Sequence, residues 1–289
     1  MKTHLLLILS AACIFPSTSS AQTAEEIIAR NIAARGGAER FRAIHSMVVR
    51  THEEANWGGT GTSTLRVMRP DRMRFDYSWQ ANPKAEGFTS TLGFDGQTGW
   101  QIAFIKGKRK MVTIPAEALD LLREGAQNTF EEPLIDPKAT SNKVELLGTE
   151  TVEGKQCYKV RFTSRTGQIR YAYYDAESFL EVRNDQVVDT KKGKEKLLTT
   201  MISDYRSVSG ILFPHTFTSI AFLTCPFASV RGIPLPMAFS AIKRDRSIST
   251  IEGIEINPAM DESTFQMPAT SAVIPHLFPD SDTLAIVLV

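Results

Sequence analysis

The feature that most limits the folds open to this chain is a long succession of extended segments across residues 46–256. Leu65 and Val67 alternate with Arg66 and Met68 before Pro70 and Asp71, and Phe75, Tyr77 and Trp79 alternate with Arg74, Asp76 and Ser78. Phe88, Ser90, Leu92 and Phe94 precede Asp95-Gly96, and Trp100, Ile102 and Phe104 precede Lys106-Gly107. Period-two alternation with aromatic enrichment and turn residues between segments is the mark of half-buried antiparallel strands. The pattern resumes at 144–147, at Tyr158, Val160 and Phe162, at Ile169, Tyr171 and Tyr173, and at Leu180 and Val182. It ends with 197–205, 211–220 and 248–256, the first two joined around Ser209-Gly210. Such spacing calls for a curved antiparallel sheet or barrel and excludes parallel βαβ units.

Two helical stretches interrupt the strands. Thr23 and Glu26 make a T-x-x-E capping box, Ile27, Ile28, Ile32 and Ala34 repeat at helical spacing, and Gly36-Gly37 supplies a stop. Residues 37–44 are expected to add one short turn. Residues 115–125 carry Ala118, Leu119 and Leu122 on one helical face, with Pro115 near the start and Gly125 as the stop. The loop after them holds Pro133, Pro137 and Ser141.

The first residues bear on compartment. Lys2 and His4 precede an apolar run, and Ser19, Ser20 and Ala21 follow it. Small residues there suit a signal peptidase cutting after Ala21, which makes 1–21 a leader and directs 22–289 to the periplasm if the source is Gram-negative. A membrane anchor needs roughly 18 apolar residues in a row, more than this run supplies. A lipoprotein signal ending at Cys13 would put Ser10 where a large aliphatic side chain belongs. Cys157 and Cys225 then remain, and in an oxidising compartment they either pair or stay as two separate buried thiols. The expectation is one domain over 22–289, with 269–289 as a C-terminal extension.

Composition excludes other classes. With 42% hydrophobic and 22% charged residues the chain is an ordinary globular one, and 33 basic side chains against 32 acidic give no excess for nucleic acid. The basic runs at 106–110 and 191–196 each flank a glycine between two strands, so solvated hairpin tips account for them more simply than an anionic-lipid contact. No G-x-S-x-G, P-loop or dinucleotide motif occurs. His52-Glu53 begins like a zinc helix, but Asn56 stands where the second histidine belongs, and Gly58-Gly59-Thr60-Gly61 reads as a hairpin turn. The carboxylate pairs Glu53/Glu54 and Glu131/Glu132 are the remaining acid candidates. Neither a cofactor nor a metal is expected, and catalysis is the minority reading.

What remains is apolar surface. Many strands closing around an interior leave either a packed centre or a ligand cavity. The inward candidates for a lipid site are Leu65, Val67, Phe75, Tyr77, Trp79, Phe94, Trp100, Ile102 and Phe104, with Phe213 and Phe217 from later strands. The stretch 221–237 has one charge, Arg231, and three prolines, and it adds Phe222 and Phe227; loops this apolar are covered by protein or touch an apolar ligand.

In order along the chain, AEEIIARNIAARGGAERFRAIHSM, FDGQTGW at 94–100, GTETVEGKQCYKVRF at 148–162, YYDAESFLEVR at 173–183, DYRSVSGILFPHTF at 204–217 and INPAMDESTFQMP at 256–268 resemble the outer-membrane lipoprotein-sorting and carrier family, LolA/LolB-like. The resemblance implies an α+β fold, mostly antiparallel β: an incomplete, half-open β-barrel with an N-terminal helix and a lid or plug helix. It implies a non-enzymatic periplasmic carrier of lipoprotein acyl chains or other lipids, with an inner- or outer-membrane protein as partner. The tail 269–289 and the stretch 221–237 depart from the pattern. A lipid- or stress-sensing module on the same scaffold is the alternative, and an exported hydrolase using His52, Glu53 or Glu54 a third. Energetics constrain the carrier. At about 0.8 kcal/mol per methylene, one sixteen-carbon chain offers roughly 12 kcal/mol and three roughly 36, above a practical ceiling near 20. A carrier that releases its cargo therefore buries chains partially, or keeps helices in the empty site that must be displaced.

Overall fold

The computed structural model describes residues 22–268 apart from 57, 83, 85, 86, 106, 107, 137–141, 192, 193, 222–228, 231, 232 and 235–244. The expectations placed on Phe222, Phe227, Cys225 and the tail lie outside the described residues. Helix α1 (Ala24–Ala34) starts at the capping box: the Thr23 hydroxyl accepts from the Glu26 amide at 3.2 Å, and the Glu26 carboxylate accepts from the Thr23 amide at 3.2 Å. It stops at Gly36, whose φ of +121° and close approach to the Gly210 carbonyl leave no room for a side chain. The expected short turn is α2 (Ala38–Arg42).

The strands run β1 (Ser46–Ala55), β2 (Thr60–Met68), β3 (Arg72–Gln80), β4 (Phe88–Phe94), β5 (Gly99–Ile105) and β6 (Lys108–Thr113). Helix α3 (Ala116–Thr129) follows with Pro115 as its N-cap, then a helical turn α4 (Glu132–Ile135). The remaining strands are β7 (Lys143–Val152), β8 (Lys155–Thr163), β9 (Ile169–Asp175), β10 (Glu181–Lys191), β11 (Lys194–Val208), β12 (Ile211–Ala221), the two-residue pair β13 (Ser229–Val230) and β14 (Ile233–Pro234), and β15 (Asp245–Ile256). Two sequence expectations need correction. Gly125 does not end α3: the helix runs on to Thr129 because Ala126 and Phe130, both fully buried, anchor one further turn. The proline-containing loop also makes a turn of helix, at α4.

Thirteen strands form one antiparallel sheet in the order β6-β5-β4-β3-β2-β1-β15-β12-β11-β10-β9-β8-β7. The sheet does not close, because β6 and β7 are its two edges. The chain enters at the middle, meanders out to β6, crosses to the far edge through α3 and α4, and meanders back until β15 pairs with β1. The helices lie on one face, here called inner. Ile27, Ile28 and Ile32 of α1 and Leu122, Ala126 and Phe130 at α3 share one core with inner residues of both wings: Met47, Val67, Met73 and Phe94 on one side, Val160, Phe162 and Tyr174 on the other. This is a half-open barrel with helices plugging its interior.

The outer face carries two matched polar clusters. Asp76 accepts from Arg66, from Arg74 two residues before it, and from Thr91 on β4. Asp185 accepts from Arg183 two residues before it, from Thr199 on β11, and from Tyr173 on β9. The segment after β15 crosses the outer face near β3 to β5: Trp100 Nε1 donates to the Phe265 carbonyl at 2.9 Å, and Arg74 donates to the Thr264 carbonyl. Phe265 is fully buried.

Candidate functional site

The inner face changes character from one end of the barrel to the other. At the helix end, β1 presents Met47 and Val49, β2 Val67 and Leu65, β3 Met73 and Phe75, β4 Phe94 and Leu92, and β15 Ile256 and Ile254; all of these belong to the main core or pack against it. Further along the same strands the inward positions become Thr51 and Glu53, Ser63, Tyr77 and Trp79, Ser90 and Phe88, and Ile251, Ser249 and Ser247. On β11 and β12 the same stretch holds Thr200 and Ile202, Ser219 and Phe217. Greasy surface thus lies under the helices and a hydroxyl-rich surface with aromatic rings beyond them.

The lipid-site candidates divide accordingly. Val67, Phe94 and Phe213 are core residues, and Leu65 and Phe75 pack against that core. Tyr77, Trp79 and Phe217 belong to the hydroxyl-rich half. Trp100, Ile102 and Phe104 occupy the opposite pleat of β5, registered with Gly93, Thr91 and Thr89, and so face outward. Trp100 and Ile102 form a separate outer cluster with Met111, and Phe104 is 44% exposed. Gly93 leaves the space that the Trp100 indole fills. The glycines at 59 and 61, beyond shaping a hairpin, make room for Trp79: a Cβ at Gly61 would stand 2.7 Å from its ring. Cys157 is buried as a free thiol, and burial pushes its pKa up.

The hydrolase candidates are not brought together. His52 and Glu54 point outward, 3.5 Å apart at the surface, while Glu53 points inward, as neighbouring residues on a pleat must. Among the described residues no group of three His, Cys, Asp or Glu side chains is placed to hold a metal.

Under the helices lies a feature that periodicity did not reveal. Arg35, at the end of α1, pairs with Glu131 at 2.7 Å and donates from Nε to the Leu212 carbonyl at 3.0 Å. Arg170 of β9 pairs with Glu181 of β10 at 3.1 Å, and Tyr205 donates to the Glu181 carbonyl at 2.9 Å. Burial pushes the Glu181 carboxyl up against the pull of Arg170, and raises the Tyr174 hydroxyl well above its ordinary value. The Tyr174 hydroxyl and Asn31 Oδ1 are buried without a hydrogen-bond partner. The layer between helices and sheet is therefore part grease, part ion pair and part unsatisfied polar group. The alternation of Ile169, Tyr171 and Tyr173 pointed the other way: it puts Arg170 on the polar pleat, and the structure turns that pleat inward together with Ala172 and Tyr174. A cleft of about 360 Å³ opens between α1 and α4, lined by Ile28, Ala29, Ile32, Leu134 and Ile135 among others. That is near the small end of the range for ligand pockets.

A thirteen-stranded open sheet wrapped around its helices is a LolA-like open barrel. Solved structures carry the same fold: a LolA superfamily protein from Nitrosomonas europaea matches with a TM-score of 0.53 and 11% identity, over 86% of this chain and 99% of that one. An outer membrane lipoprotein-sorting protein domain from Vibrio parahaemolyticus matches with a TM-score of 0.51 and 10% identity, over 84% and 95%. A DUF1329 family protein from Desulfovibrio piger matches with a TM-score of 0.50 and 11% identity, over 84% and 97%. No protein-family model and no curated protein matches the sequence.

Proposed function

We propose that this protein is a non-enzymatic periplasmic carrier whose inner face takes the acyl chains of a lipoprotein or another lipid when the helix layer moves aside. The observation that carries the reading is the composition of that layer. A cover meant to be permanent would be packed as a jigsaw and leave no buried polar atom unpaired. This one closes the Arg35–Glu131 pair over a strand face that itself carries the Arg170–Glu181 pair and the orphan Tyr174 hydroxyl among apolar side chains. Helices that leave an apolar groove and carry their own displacement cost answer the energetic demand on a releasing carrier: part of the roughly 12 kcal/mol that one chain offers is offset by the contacts it replaces. The lipoprotein-sorting domain that shares the fold supports the cargo class. The apolar run before Ser19-Ser20-Ala21, read as a leader over 1–21, supports the compartment.

Native mass spectrometry of protein purified from the periplasm, followed by lipid extraction, tests the reading. Adducts whose masses match acylated species, lost on extraction with the fold retained, are the expected result. Protein that is lipid-free as isolated and takes up none from mixed lipid vesicles would refute it.

A further inference from the structure

Among the described residues, Glu53 is a carboxylate without a counterion. It sits on the inward pleat of β1, in the phase of Met47 and Val49, beyond the helix-covered end. Tyr77 donates its hydroxyl to Glu53 Oε2 at 3.4 Å, and the Ser247 hydroxyl also reaches the carboxyl. Among the described residues no arginine, lysine or histidine acts on it: burial drives its pKa up, and the two hydroxyls oppose that rise. By contrast, Asp76, Asp185, Glu131 and Glu181 each have an arginine within ion-pair distance. A half-buried carboxylate without an ion-pair partner is costly, and such groups concentrate at functional sites.

We propose that the hydroxyl-rich half of the inner face binds the primary ammonium group of an acylated amphiphile, with Glu53 as its counterion. The assignment rests on the carrier reading and names the head of its cargo. An ammonium brings three N–H donors, and the Glu53 carboxylate supplies the charged acceptor, with the Tyr77 and Ser247 hydroxyls beside it. Tyr77, Trp79 and Phe217 add aromatic rings on the same stretch of strand, and such rings attract cations. A divalent metal is a poor occupant, because one carboxylate with neutral hydroxyls does not make a metal site and, among the described residues, no further acidic side chain acts on Glu53. Four residues separate Glu53 from Val49, about 14 Å along a strand, so a head bound at Glu53 leaves its chain running toward the greasy end.

Three probes of equal chain length decide the matter by calorimetry at neutral pH: dodecylamine, dodecanol and dodecanoate. Dodecylammonium is expected to bind at least tenfold more tightly than dodecanol, and dodecanoate most weakly. In Glu53→Gln the advantage of the amine disappears while dodecanol affinity is kept. Tyr77→Phe reduces the advantage without abolishing it. Equal binding of all three probes to the wild type, or an amine preference that survives Glu53→Gln, overturns the ammonium assignment and leaves the carrier reading standing. Binding of none of the probes overturns both. An ammonium of this kind occurs on phosphatidylethanolamine and on a diacylated lipopeptide with a free α-amine, and N-acetylation of each separates the sources: the physiological one loses about tenfold in affinity when acetylated. Loss by neither would overturn the assignment.

Discussion

Replacing Arg35 with methionine tests whether the helix layer is clamped by ion pairing. The methionine stem keeps contact with Phe41 and Phe213, over which the guanidinium carbon sits at 5.0 and 6.0 Å, so the substitution removes mainly charge and hydrogen bonds. It leaves Glu131, paired at 2.7 Å, without its counterion, and the Leu212 carbonyl without the Nε donor. Breaking a buried pair from one side costs about 3–5 kcal/mol. The Glu131 side chain keeps 22% of its surface exposed, so water softens the loss; the expected cost is about 3 kcal/mol, a urea midpoint lowered by roughly 1 M. In Arg35→Met with Glu131→Gln the orphaned charge is gone, and at least about 1 kcal/mol returns. The same variants read out function: with the clamp released, a fluorescent fatty acid is taken up faster than by the wild type. Urea unfolding and stopped-flow uptake measure the two effects. An Arg35→Met protein as stable as the wild type, or a double variant that recovers nothing, would show that the pair does not hold the layer.

The paired outer clusters give an internal control. Asp185, 1% exposed, and Asp76, 30% exposed, have similar partners, so Asp185→Asn is expected to lower stability by about 3 kcal/mol and Asp76→Asn by about 1, measured by urea unfolding. Gly93→Ala drives a methyl into the Trp100 indole, which must leave its bond to Phe265; a loss of about 1–3 kcal/mol and a changed near-ultraviolet signal are expected. Glu53 holds its proton more tightly folded than unfolded, because burial raises its pKa. Its contribution to stability is therefore most favourable below the ordinary carboxylate range and is lost as pH rises through the folded-state pKa. Unliganded Glu53→Gln is thus expected to match the wild type in acid and exceed it at neutral pH, as urea midpoints across that range would show.

Much of the fold was legible because its determinants are local. The Thr23–Glu26 box, the turn at Ser209-Gly210 and the alternation along β3 each concern neighbouring residues, and the structure reproduces them. Alternation fixes which residues share a face but not which face is inner. On β5 the aromatic phase, Trp100, Ile102 and Phe104, turns outward because Phe265, 165 residues away from Trp100, arrives to cover it. No local pattern announces such a partner. Glu53 was visible as an acid beside His52, yet adjacency in sequence suggested cooperation that the pleat forbids, and its actual neighbours, Tyr77 and Ser247, come from other strands. Gly125 misled for a related reason. Glycine stops a helix that has nothing further to bury, and here Phe130 was still to be placed.

The route of the chain explains why the cover is helical. After β6 the chain stands at one edge of the sheet and must reach β7 at the other, with residues 114–142 as the connection. Along that path α3 lies against β2, β3 and β4, and α4 against α1. A strand laid across the same face would leave its amides unpaired or demand a ladder of its own, whereas a helix satisfies its backbone internally. Moving α3 off the sheet would break side-chain packing, the Arg123–Asp71 and Arg165–Asp120 pairs and the Thr166–Glu124 hydrogen bond, and moving the segment after it the Arg35–Glu131 pair, but no inter-strand hydrogen bond. Both ends of the connection are tied to edge strands, so α3 and α4, if displaced, would stay attached to the frame. The topology allows the interior to be vacated while the thirteen-stranded frame keeps every one of its ladders.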